Sequence, residues 1–216
     1  MGKAIIFLNG YINLDFCESY LYNTSNKESY DIYCTDGAFL KVMGSKPIMS
    51  DLKMISGDFD TLPINIRVKI RSSIKVLPTP DQNYTDFEKL LGLLDGKYKQ
   101  VDVYGAGGNE MDHFLGALSI ALKWINKIKI VFIDQYSKYE VAKNNFKRQN
   151  VLNKMVSIMP LSRMCNVNFQ GLKYSLNGQD LEIGKLVSTR NTAVANEIVI
   201  NCSEGSFVIF ISHDNY

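Results

Sequence analysis

The sequence predicts an α/β fold, in which a doubly wound, mainly parallel sheet is followed by a small antiparallel β-sandwich. Three observations predict it. Short apolar runs of the kind buried on both faces of a parallel sheet recur up to residue 134, and segments with helical spacing fall between them. Those runs end, one after another, in Asp, Gly or Pro. Past residue 137 the chain turns to short β-type runs separated by turn residues, which divides it into domains 1–137 and 138–216.

Residues 4–8 (AIIFL) are the first buried run and close at Asn9-Gly10. A polar stretch follows, and residues 29–34 then lead as a second strand into Thr35-Asp36-Gly37-Ala38. A third strand tip, 53–55, enters Ser56-Gly57-Asp58-Phe59-Asp60-Thr61, where Gly57 permits a sharp turn from which two carboxylates project. The run 73–77 reaches Pro78-Thr79-Pro80-Asp81-Gln82. Residues 85–94 show helical spacing through Phe87, Leu90, Leu91 and Leu94, and Thr85 with Glu88 forms a capping-box pattern at their start. The strand 101–104 is followed by a glycine-rich turn over 105–113 and a helix over about 112–124. The strand 129–133 ends at Asp134 and completes the series.

Residues 138–154 are polar, and β-type runs follow at 155–159, 167–174, 180–183, 197–202 and 206–212. Asn177-Gly178 is a strong hairpin signal, and Glu204-Gly205 marks a turn between the last two runs. No internal repeat or low-complexity segment is present.

With 216 residues, 46% hydrophobic and 21% charged, the chain has the composition of a globular protein with a sizeable core. A formal net charge of +2 gives no support to nucleic acid or an anionic membrane as a partner. The apolar opening run is too short for a signal peptide, and lysines interrupt the apolar segment 114–133, so a soluble, cytoplasmic protein is expected. Cys17, Cys34, Cys165 and Cys202 include no Cys-x-x-Cys pair, and reduced, mostly buried thiols fit that setting.

In open parallel sheets, ligands gather at the carboxyl ends of the strands. There the chain places Asp36, Asp58, Asp60, Asp81, Asp86 and Asp112. Several carboxylates with only two histidines in the chain suit a hard cation, above all Mg²⁺ bridging substrate phosphates. Gly105, Gly107 and Gly108, between a strand and a helix, let backbone N–H groups approach an anion. The run matches neither Gly-x-Gly-x-x-Gly nor a Walker motif. A metal-nucleotide site is the combined expectation.

These motifs resemble those of the thiamine pyrophosphokinase (thiamine diphosphokinase) family over nearly the full chain. The resemblance is carried by Cys34-Thr35-Asp36-Gly37-Ala38, Gly57-Asp58-Phe59-Asp60-Thr61 and Asp81-Gln82-Asn83-Tyr84-Thr85-Asp86-Phe87, and by the glycine-rich turn ending in Asp112-His113. In the second half it is carried by Gly171-Leu172-Lys173-Tyr174 and Leu186-Val187-Ser188-Thr189-Arg190-Asn191-Thr192.

The resemblance implies a Rossmann-like catalytic domain, a thiamine-binding β-sandwich and a homodimer with thiamine between subunits. It implies transfer of a diphosphoryl group from ATP to the thiamine hydroxyl, giving thiamine diphosphate and AMP. The implied roles are Mg²⁺ on Asp58, Asp60 and Asp81 or Asp86; a base at Asp86 or Asp112; ATP on Asp36, Gly37, Asp81, Gln82, Thr85, Gly107, Gly108 and His113; and thiamine on Tyr174, Ser188 and Asn191. Asn109-Glu110, Asn83 and Arg190 depart from the family pattern, and Arg190 would set a cation against a cationic thiazolium. The alternatives are a diphosphokinase for another hydroxymethyl heterocycle, such as a pterin, and a non-catalytic nucleotide or thiamine sensor.

Overall fold

The computed structural model describes residues 3–22, 30–60 and 62–215, divided into two compact units, Met1–Gln135 and Tyr136–Tyr216. Ser29, expected to open the second strand, and Thr61, the last residue of the Gly57 turn, lie outside the described residues.

The first unit runs β1 (Lys3–Phe7), α1 (Leu14–Tyr22), β2 (Tyr30–Thr35), α2 (Asp36–Val42), α3 (Lys46–Asp51), β3 (Leu52–Gly57), α4 (Ile64–Arg67), β4 (Lys75–Pro78), α5 (Asp86–Leu94), β5 (Gln100–Tyr104), α6 (Met111–Trp124) and β6 (Lys129–Ile133). Its strands lie in the order β6-β5-β1-β2-β3-β4, every pair parallel. The apolar runs are central because helices cover both faces: Ala4, Ile5, Ile6 and Phe7 are all 0% exposed, whereas β4, at the edge, carries no buried residue. Chain direction across the sheet reverses between β1 and β5, so a crevice opens there at the carboxyl ends. Loop pairing prolongs this junction, with Gly10 N–H donating to Gly105 O at 2.7 Å and Tyr11 N–H to Gly107 O at 2.8 Å.

Helix α5 buries Phe87, Leu90, Leu91 and Leu94, the spacing read from the sequence. Thr85 Oγ1 accepts from Glu88 N–H at 3.3 Å, while the Glu88 carboxylate turns to α6, where Lys123 and Trp124 bind it, so half of the capping box forms. The stretch after Gly10, read as polar, contains α1, which buries Cys17 and Leu21.

The second unit holds β7 (Ser137–Gln149), β8 (Lys154–Pro160), β9 (Met164–Gln170), β10 (Asn177–Leu181), β11 (Ser188–Thr192) and β12 (Glu197–Asn215), all paired antiparallel within the unit. Three sequence expectations are corrected here. The polar stretch 138–154 supplies the long strand β7, paired with β12 from Ser137↔Ser212 to Gln149↔Glu197. Glu204-Gly205 does not separate two strands: it lies in a register irregularity inside β12, with Gly205 at φ +125°. Asn177-Gly178 opens β10 instead of turning a hairpin, and residues 171–176 make the connection from β9. The irregularity lets β12 change partners: its first half pairs with β9 and its second with β8. A core of Val156, Ile158, Val167, Phe169, Ile198, Ile200, Phe207 and Ile209 fills the unit, as a β-sandwich requires. Among the described residues no helix is long and apolar enough to cross a membrane.

Candidate active site

At the carboxyl ends of β1, β2, β3 and β5 lies a cleft of about 480 Å³ in the first unit. One part of it is acidic. Asp36, Asp58 and Asp60 each bring a carboxylate oxygen to within 4.8 Å of the others, a donor set fitting a hard divalent cation. Asp36 is buried where β2 passes into α2, and its carboxylate accepts from the N–H groups of Gly37 and Phe59 at 2.7 and 2.8 Å. Burial pushes the Asp36 carboxyl up from its ordinary value, against those two hydrogen bonds, and the charges of Asp86 and Asp58 add to the rise. Asp58 is held below its ordinary value by Gln82, whose amide donates to it at 2.9 Å, and by Asp60 N–H at 3.3 Å. The turn carrying both carboxylates places Phe59 at φ +63°.

The other expected residues fall around this group in different ways. Asp81 is outside it; its carboxylate accepts from Asn83 N–H and Nδ2 at 2.9 and 2.8 Å, closing a local turn. Gln82, Thr85 and Asp86 line the cleft. Asp86 pairs with Lys89 at 2.6 Å, and the same ammonium donates to the carbonyls of Thr79 and Asp81 at 2.7 and 3.1 Å, bracing the loop before α5. Gly105, Asp112 and His113 also line the cleft, and His113 Nε2 lies 3.7 Å from Glu110. Gly37, Gly107 and Gly108 stand beside it without lining it; Gly107 and Gly108 lie in the turn that Gly105 opens at φ +70°.

Residues beyond those expected complete the wall: Leu8, Asn9 and Gly10 after β1, Tyr84 before α5, and Gly116, Ala117 and Ile120 on α6. Asn9-Gly10 carried the same strand-end signal as the acidic turns. Lys41 gave none, because its ammonium donates to backbone carbonyls, those of Asn9 and Gly10.

In the second unit, Tyr174, Ser188 and Asn191 are brought together around a hollow of about 260 Å³, with Leu176, Leu181, Leu186 and Val187. Tyr174 is 63% exposed, and the buried Asn191 amide holds its backbone by accepting from Tyr174 N–H at 3.0 Å and donating to Tyr174 O at 2.8 Å. Arg190 sits at φ +53° in a register irregularity of β11, its N–H donating to Ser157 Oγ at 2.9 Å. Thr189 and Asn191 line the hollow and Arg190 does not.

Fold and cleft together define a two-unit α/β protein whose first unit carries an acidic cleft at the carboxyl ends of its parallel strands. The model of the thiamin pyrophosphokinase catalytic domain matches residues 22–133, and that of the thiamin pyrophosphokinase vitamin B1 binding domain matches residues 143–207. The chain belongs to the thiamin pyrophosphokinase family. It is 27% identical over 207 residues to thiamin pyrophosphokinase 1 of Caenorhabditis elegans, covering 90% of this chain and 83% of that protein. To the thiamine pyrophosphokinase of Bacillus subtilis it is 24% identical over 171 residues, covering 73% and 77%. The crystal structure of the Geobacillus thermodenitrificans thiamin pyrophosphokinase superposes with a TM-score of 0.81 at 21% identity, covering 98% of both chains, and that of yeast with 0.84 at 12%, covering 98% and 86%.

Proposed function

We propose that this protein transfers a diphosphoryl group from ATP to the hydroxyl of thiamine, giving thiamine diphosphate and AMP. The observation that carries this reading is the coincidence, in one chain, of the Asp36, Asp58 and Asp60 group in a switch-point cleft with matches to both a catalytic and a vitamin B1-binding family model. The second match favours thiamine over a hydroxymethylpterin. The acidic cleft favours turnover over a binding-only sensor.

In this reading, Asp58 and Asp60, with Asp36 behind them, would hold Mg²⁺, which would supply charge neutralisation for the nucleotide phosphates. Asp81 acts one step removed, by shaping the loop that presents Gln82 to Asp58. Gln82, Thr85, Gly37, Gly107, Gly108 and His113 orient the phosphates and ribose. The thiamine hydroxyl oxygen bonds to the β-phosphorus while the bond from that phosphorus to the α-β bridging oxygen breaks, and AMP leaves with the oxygen. The hydroxyl proton passes to Asp112, since Asp86 is engaged by Lys89. Positioning and charge stabilisation, not covalent work by the protein, supply the rate. Tyr174 offers a ring face to thiamine and Ser188 a hydroxyl, while Asn191 sets the position of Tyr174.

A homodimer belongs to the same reading, supported by the exposed Ile183, Val194, Leu186 and Val187 of the second unit, and so does a reducing cytoplasmic setting, supported by four free thiols. The test is product formation by purified protein with ATP and Mg²⁺, thiamine being compared with a hydroxymethylpterin. Thiamine diphosphate and AMP in equal amounts, abolished by chelator, are expected. Product from the pterin alone, or no AMP from folded protein, overturns the assignment.

A further inference from the structure

We propose that Lys123, outside the cleft, is a positioning residue that fixes the ring of Tyr84 as the platform on which the purine base of the nucleotide stacks. The inference rests on the proposed use of a nucleoside triphosphate and adds to it the place of the base. Helix α6 starts beside the glycine turn and presents His113, Gly116, Ala117 and Ile120 to the cleft. At a rise of 1.5 Å per residue, Ile120 lies about 10 Å along the helix from His113, the distance by which a purine is removed from its distal phosphates. At that far end the wall is apolar, with Tyr84 and Phe87 joining Ala117 and Ile120. Midway between His113 and Ile120, at Gly116, the helix surface is open, since a Cβ there would meet nothing within 4 Å. The apolar lining of the far end suits a heterocycle and not a phosphate.

Tyr84 is half exposed on the loop before α5. The Lys123 ammonium lies 5.3 Å from its ring centroid. Tyr84 lines the cleft and Lys123 does not. Lys123 is in turn held by Glu88, at 2.6 Å, and Trp124 Nε1–H donates to the same carboxylate oxygen at 3.3 Å. That contact, with help from Trp124, keeps the Glu88 carboxyl below its ordinary value and therefore charged. An aromatic side chain on a loop would otherwise sample several rotamers, and each rotamer lost on binding weakens affinity. The Glu88, Lys123 and Tyr84 chain removes that loss beforehand.

The test compares dissociation constants for ATP and for inorganic tripolyphosphate in the full-length protein, by calorimetry, with kcat and KM for ATP measured alongside. Lys123→Met is expected to weaken ATP about fivefold, the size of one cation–π contact with its ordering effect, while kcat stays within about twofold. Tripolyphosphate, which has no base, should bind as to the wild type. Lys123→Arg restores ATP affinity, and Lys123→Met adds nothing in a Tyr84→Leu background. An unchanged ATP constant in Lys123→Met, an equal loss for tripolyphosphate, or full additivity with Tyr84→Leu overturns the proposal. Should Lys123→Met not fold, Tyr84→Leu carries the same comparison of the two ligands. A wild type that binds ATP yet forms no AMP with thiamine would defeat the assigned reaction, while the two constants would still decide the role of Lys123.

Discussion

Gly57 and Asp36 are packed so closely that a Cβ at position 57 would lie 2.5 Å from Asp36 Cγ, against the carboxylate that closes the acidic end of the cleft. No rotation of an alanine methyl relieves such an overlap, so Gly57→Ala must displace the Asp36 carboxylate or the turn carrying Asp58 and Asp60. The expected cost is about 1–3 kcal/mol, as for other overpacked buried sites, with most of the diphosphoryl transfer lost. Gly116→Ala is the contrast. Its Cβ meets nothing within 4 Å, and a mid-helix alanine should gain up to about 1 kcal/mol. Denaturant midpoints of the two variants check both signs.

Asp58→Asn tests the acidic group without disturbing the core. Asp58 reaches solvent, and an amide in its place can still accept from Gln82, so thermal stability should stay within about 0.5 kcal/mol of the wild type. Turnover should fall by about two to three orders of magnitude, the scale of losing one charge-stabilising group at a phosphoryl centre. Stoichiometric AMP release at the wild-type rate would remove Asp58 from the metal site. Chelation of the wild type should reproduce the loss, and added Mg²⁺ should reverse it.

Asp36, Gly57 and Asp58 were legible in the sequence, and the reason is geometric. Apolar runs ending in Asp or Gly fix the strand ends, and parallel pairing brings those ends to one edge whatever the loop details. Braces were not legible. Lys41 and Lys89 act on backbone carbonyls, to which a sequence gives no clue, and Lys123 acts on a ring far away along the chain. Strand β7 was missed for a related cause. Along it only Tyr139 and Ala142 are buried, and it is a strand because β12 offers it a ladder, not because of its side chains. Asn177-Gly178 misled because tertiary pairing with Asn168 outweighed a local turn preference.

The thiols should divide sharply in reactivity. Burial, helped by Glu18, pushes Cys17 up to about 12; burial and nearby Asp36 raise Cys34 further; and burial raises Cys202. A raised pKa lowers the thiolate fraction, so at pH 8 a thiol like Cys17 is ionised in about one molecule in ten thousand. Partly exposed Cys165 should react with an alkylating reagent within minutes in the native protein, and the other three only after denaturation. Peptide mass spectrometry at timed intervals reads this directly. Equal labelling of Cys34 would contradict its burial.

Asn191 is 1% exposed, and three of the four hydrogen-bonding positions of its amide are filled inside the protein: Oδ1 accepts from the N–H groups of Tyr174 and Thr192, at 3.0 and 2.9 Å, and Nδ2 donates to Tyr174 O at 2.8 Å. A side chain so engaged has little left for a ligand, so its effect on thiamine should pass through Tyr174. Asn191→Ala leaves three backbone groups without partners, at a cost of about 1–3 kcal/mol once water replaces part of what is lost. The KM for thiamine should rise about tenfold while the KM for ATP holds, because Tyr174 loses its fixed position and must be ordered on binding. Asn191→Asp, which keeps the acceptor but sets a carboxylate against Tyr174 O, should be no better than alanine. Tyr174→Ala in the Asn191→Ala background should add little further loss, since the ring has already lost its place. Full additivity in that pair would instead mean that Asn191 touches thiamine itself, and equal rises in both KM values would mean that the substitution had loosened the protein generally.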